Sequence, residues 1–91
     1  MYRVILIDDE EIIVHGLQTV VNWQAFNCTV VATAYDAASG AIAIRTHRPD
    51  ILFTDIRLPD KDGLTMLAGL RSEFPNMLVT VLTGYTDFEY A

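Results

Sequence analysis

The residues best placed to do chemistry are acids at the ends of apolar runs. Ile51-Leu52-Phe53-Thr54 leads into Asp55, and Val4-Ile5-Leu6-Ile7 leads into Asp8 and Asp9. Both runs are short and apolar on both faces, as strands buried in a parallel sheet are. The carboxyl edge of such a sheet is where open α/β folds bind ligands. With the two strands as neighbours, Asp8, Asp9 and Asp55 converge at that edge. Three carboxylates a few Å apart repel one another, and burial raises the cost. No His or Cys accompanies them, so the expected compensating ion is hard and oxygen-loving. Mg²⁺ fits best, because it takes a few carboxylates and keeps several waters. A single acid after a strand is usually a helix cap, and Asp9 alone reads that way. Two acidic strand ends in one small chain favour the metal.

A metal beside a strand-end Asp makes that Asp a candidate nucleophile for a phosphoryl group. The cation would neutralise the phosphoryl oxygens while the protein positions the groups. Thr83 ends the apolar run 77–82, so its hydroxyl is expected near the same edge. Taken alone, Thr83 is a turn or cap residue.

The elements that must position these groups alternate along the chain. Residues 4–7 form a first strand, and residues 10–22 carry helical spacing with Ile13, Leu17, Val20 and Val21 on one stripe. Asp9 is the expected N-cap. Residues 22–27 connect, with Trp23 and Phe26 expected to pin the loop against the helix end. A second strand spans 29–34, and Asp36 caps a helix over 37–47 that Pro49 ends. The third strand is 51–55, followed by an irregular loop to Lys61. Asp62 caps a helix over 63–74 with Leu67, Leu70 and Phe74 facing the core, and Pro75 stops it. A fourth strand covers 77–82, and residues 85–91 read as the start of another helix. This β-α-β-α-β-α-β-(α) order implies right-handed crossovers and a parallel sheet covered on both faces.

Composition bounds the reading. Ninety-one residues, 52% hydrophobic and 20% charged, suit one small globular domain over 1–91. Twelve acids against six Lys and Arg leave a formal charge of −6. That balance disfavours direct nucleic-acid contact and binding to anionic membranes. Cys28 is the sole cysteine, so an internal disulfide is excluded, and a buried inert thiol in a reducing compartment is expected. No secretory pattern opens the chain, and no apolar run approaches the ~18 residues of a membrane span. A cytoplasmic protein is expected.

Three motifs in register carry a family resemblance. They are Asp8-Asp9-Glu10, then Thr54-Asp55-Ile56-Arg57-Leu58-Pro59-Asp60-Lys61-Asp62-Gly63, then Leu82-Thr83-Gly84. Together they resemble a response-regulator receiver domain of two-component signalling. The segments around Asn22-Trp23 and 83–91 further resemble receivers joined to an arabinose-regulator-type helix-turn-helix output domain. The resemblance implies a flavodoxin-like (CheY-like) three-layer sandwich with sheet order 2-1-3-4. It implies Asp55 as phosphoacceptor, and Asp8, Asp9, Asp55 and the Arg57 carbonyl as Mg²⁺ ligands. Thr83 would be the switch hydroxyl and a sensor histidine kinase the partner. The domain would be a signalling module and not an enzyme.

The pattern also departs from the family. Receivers continue through helix 4, a fifth strand bearing a phosphoryl-contacting lysine, and a fifth helix. Lys61 is the only lysine here, and its loop position makes it a poor substitute. A receiver cut within helix 4 is the expectation, with strand 4 left as an apolar edge that favours a homodimer or larger assembly. Two other functions compete. One is a self-associating interaction fragment without phosphotransfer. The other is a Mg²⁺-dependent phosphohydrolase, which would need a general acid where Arg57 stands.

Overall fold

The computed structural model describes residues 1–82. Within them four parallel strands form one sheet in the order β2-β1-β3-β4. The strands are β1 (Tyr2–Ile7), β2 (Cys28–Ala34), β3 (Ile51–Asp55) and β4 (Leu78–Leu82). The helices are α1 (Glu11–Val20), α2 (Ala37–His47) and α3 (Gly63–Leu70). A 3-10 turn, Trp23–Phe26, lies between α1 and β2.

Strand β1 is central because its side chains are apolar on both faces, and Val4, Ile5, Leu6 and Ile7 are all 0% exposed. Alternation then divides the core. Ile5 and Ile7 pack with Leu52 beneath α2 and α3, among Ile44, Met66 and Leu70. Val4 and Leu6 turn to the other face and meet Val14 of α1 and Cys28, with Leu17, Trp23 and Phe53 at the margin. The result is the expected three-layer arrangement, one helix against two across the sheet. The thiol of Cys28 is buried, in line with an inert role.

Some local expectations are corrected. Helix α1 starts at Glu11, with Glu10 and not Asp9 in the capping position and no side-chain cap. The buried stripe is also rotated, because Val14 is 0% exposed while Ile13 is 41% and Val20 83% exposed. Ile12, Ile13 and Val14 are consecutive apolar residues compatible with either stripe. The tight turn in which the Asp8 carboxylate accepts the Glu10 amide, at 2.9 Å, decides which face turns inward. Trp23 does pin the connection, donating from Nε1 to the Leu17 carbonyl at 3.0 Å. Phe26 does not, being 69% exposed. Helix α3 closes at Leu70, earlier than the 63–74 expectation, although Phe74 still reaches the core.

Helix α2 has its expected cap, Asp36, which accepts the Ser39 amide at 2.7 Å. It ends at Arg48 in a left-handed conformation at φ 48°, where the Arg48 amide closes on the Ile44 carbonyl. The helix lies close to the sheet at Gly40, where an added Cβ would stand 2.6 Å from Ile7 Cδ1. Among the described residues, no helix is long and apolar enough to cross a membrane.

Candidate functional site

The register of β1 against β3 builds the site. Ile7 lies opposite Thr54, so the next residue on each strand, Asp8 and Asp55, emerges at the same carboxyl edge. Asp8 continues the ladder on its other side by donating its amide to the Ala34 carbonyl at 3.2 Å. Asp8, Asp9 and Asp55 each offer an oxygen such that all three lie within 4.8 Å of one another. The three acids singled out from sequence are therefore brought together. Asp8 is buried, Asp55 half-buried and Asp9 exposed, so the cluster opens to solvent on the Asp9 side.

Electrostatics follow from that burial. The Asp8 carboxyl is pushed up to about 6, first by desolvation and then by the charges of Asp55 and Asp9. The hydrogen bond from the Glu10 amide opposes the shift and does not cancel it. Like charges held this close, with one of them out of water, suit a bound divalent cation with oxygen ligands. The donor set is wholly carboxylate, which matches Mg²⁺ in hardness and in ligand number. The residues present thus fit that ion.

The loop after Asp55 is closed on itself. The Arg57 amide lies 3.3 Å from Asp55 Oδ1, which draws the Arg57 backbone to the edge of the cluster. Arg57 forms an antiparallel bridge with Asp62, and Gly63 donates its amide to the Ile56 carbonyl. Gly63 is required here, because a Cβ would collide with the backbone carbonyl of Asp55. Asp62 caps α3 as expected, accepting the Leu64 amide at 2.7 Å. Thr54, 1% exposed, donates its hydroxyl to the Asp55 carbonyl at 3.1 Å and fixes the peptide from the core side.

Two supporting roles escape a reading by spacing. Asp60 caps α2 from 23 residues away, and no sequence signal joins it to Ala37. Gly63 follows a capping Asp, which signals a helix start and not a contact with Asp55. Strand β4 pairs beside the site, with Leu82 opposite Asp55. Thr83 lies outside the described residues, as does the start of a helix over 85–91.

Residues 4–91 match the model of the response regulator receiver domain. The chain belongs to that family. It is 39% identical over 90 residues to an uncharacterised response regulatory protein of Staphylococcus epidermidis, covering 99% of this chain and 35% of that one. It thus spans about a third of that relative's length. Its fold matches the receiver domain of AraT, a response regulator from Geobacillus stearothermophilus, with a TM-score of 0.93 and 39% identity. That match covers 98% of this chain and 69% of that one. A two-component transcriptional regulator AraC from Clostridium phytofermentans matches with a TM-score of 0.89 and 30% identity, over 100% and 73% of the two chains. The receiver's parallel sheet, in the order 2-1-3-4, is the one expected from the sequence.

Proposed function

We propose that this receiver domain, residues 1–91, is the phosphoacceptor of a two-component transcriptional regulator, and that Asp55 takes the phosphoryl group. The observation that carries the reading is the convergence of Asp8, Asp9 and Asp55 within 4.8 Å at the carboxyl edge of β1 and β3. An Asp55 oxygen attacks phosphorus on a phosphohistidine of a sensor kinase. The new O–P bond forms as the P–N bond breaks, and the departing imidazole nitrogen takes up a proton. Asp8, Asp9, Asp55 and the Arg57 carbonyl are the proposed ligands of Mg²⁺. When bound, that ion supplies positive charge against the phosphoryl oxygens. Thr83 is the proposed switch hydroxyl. The proposed setting is the cytoplasm, with an arabinose-regulator-type helix-turn-helix as the output joined to the receiver.

Incubation with a small phosphodonor and Mg²⁺, followed by peptide mass spectrometry, tests this. One phosphoryl adduct on Asp55, lost in Asp55→Asn, supports it. An adduct on any other residue overturns it.

A further inference from the structure

The acid at the tip of the loop after Asp55 is not needed for the chemistry proposed above, yet it is engaged across the fold. Asp60 Oδ1 accepts the Ala37 amide at 2.7 Å, and Asp60 Oδ2 accepts the Ala38 amide at 2.9 Å. Both amides belong to the first turn of α2, where backbone N–H groups have no partner within the helix. Asp36 takes a third amide of that turn, Ser39, from within its own segment. Two carboxylates thus share one helix start, one local and one delivered by the loop that carries Arg57. The Asp60 carboxyl is held below the usual carboxylate range, chiefly by the Ala37 and Ala38 amides.

Leu58 anchors the middle of this loop in the core, and Asp60 fixes the exposed tip beyond it. Its base is closed by the Arg57–Asp62 bridge and the Gly63 to Ile56 hydrogen bond. Pro59 and Asp60 lie beyond these contacts and are exposed. A bidentate contact ties that tip to the fold, and α2 is a rigid anchor because Gly40 and Ile44 sit against the core. Pro59 immediately before Asp60 narrows the backbone further.

We infer that Asp60 is a positioning residue, which by clamping the loop tip to the start of α2 sets the Arg57 backbone and Asp55 in place for the divalent cation. This rests on the metal reading of the acid cluster. The alternative is that Asp60 is only a helix cap, and Asp36 provides the comparison. Asp36→Ala removes a cap from the same helix turn and leaves the Asp60 contacts to Ala37 and Ala38 in place.

The experiment measures Mg²⁺ affinity and amide hydrogen exchange in four proteins: the parent, Asp60→Ala, Asp60→Asn and Asp36→Ala. Loss of a group that orients metal ligands typically weakens binding roughly tenfold, and that is expected for Asp60→Ala. Asp60→Asn, which keeps a side-chain oxygen acceptor, should recover part of it. Asp36→Ala should lower stability and keep the parent affinity. Exchange at the Arg57 and Gly63 amides should quicken in Asp60→Ala and stay at the parent rate in Asp36→Ala, with or without metal. Equal Mg²⁺ affinity in the parent and a folded Asp60→Ala overturns the positioning role and leaves the metal reading standing. An equal loss of affinity in Asp36→Ala also overturns it, since a cap alone would then explain the effect. A parent that binds no Mg²⁺ overturns both, and the exchange rates then report whether the clamp on the loop exists at all.

Discussion

Trp23 meets Phe53 edge-on, with ring centroids 5.6 Å apart and the planes at 69°. Phe53 lies on β3 two residues before Asp55, so the one tryptophan of the chain touches the strand that carries the central acid. Its emission is therefore a local reporter of events at the site.

Titration of the metal-free protein with Mg²⁺ should change Trp23 fluorescence to saturation. Removing one of the three proposed carboxylate ligands, as in Asp9→Ala, should weaken the apparent affinity by roughly tenfold or more. Asp9 is exposed, so the variant should keep the parent's fold and far-ultraviolet circular dichroism. Equal affinity in the two proteins would remove Asp9 from the ligand set.

The raised Asp8 carboxyl makes a pH prediction whose sign is fixed. Unfolded, the group releases its proton near 3.8, whereas folded it holds it until about 6. Between these values the native state binds more protons than the unfolded one, so stability falls as pH rises through that window. The carboxyls of Asp60 and Glu73 are held low and act oppositely, losing their contribution as pH falls. Comparing metal-free parent with Asp8→Asn isolates Asp8, because the other groups are common to both. Urea midpoints from pH 4 to 7 should decline in the parent relative to the variant. Parallel curves would contradict the shift.

Two glycines should respond oppositely to alanine. A Cβ at Gly63 would meet the Asp55 carbonyl, a backbone atom that cannot swing aside. Gly63→Ala should cost about 2 kcal/mol or more. At Gly16, inside α1, an added Cβ meets nothing within 4 Å. Gly16→Ala should stabilise by about 0.5–1 kcal/mol through helix propensity. A Gly63→Ala midpoint at or above the parent's would show that the close approach at Gly63 is wrong.

The rotated face of α1 is equally open to test. Val14→Ala should destabilise by about 2 kcal/mol, since a fully buried side chain leaves a cavity. Val20→Ala should fall within about 0.5 kcal/mol of the parent. A reversed ranking would restore the stripe expected from periodicity.

That last pair shows where sequence reasoning reaches and where it stops. β1 and β3 were legible because each is apolar on both faces and ends on acid, and their pairing follows from the parallel order. The cap Asp36 and the helix it starts were legible because both partners lie within three residues. Helix α1 was legible in existence and not in rotation, since Ile12, Ile13 and Val14 satisfy two stripes alike. The Asp60 clamp was not legible at all, because its partners are brought near only by tertiary folding. The Thr83 expectation concerns a residue outside those described.

The central place of β1 has a consequence during synthesis. It is made before the other three described strands, yet it is flanked on both sides. Its pairing with β3 joins Val4 to Ile51, 47 positions later by their numbers. A ribosome adding ~5–20 residues per second needs roughly 2–10 s to cover that interval. Through it, one edge of the most apolar strand waits without its neighbour, which is when a chaperone would be of most use. The arrival of β3 seals that edge and brings Asp55 beside Asp8 in the same event, so a nascent chain gains its acid cluster only as its exposed strand disappears.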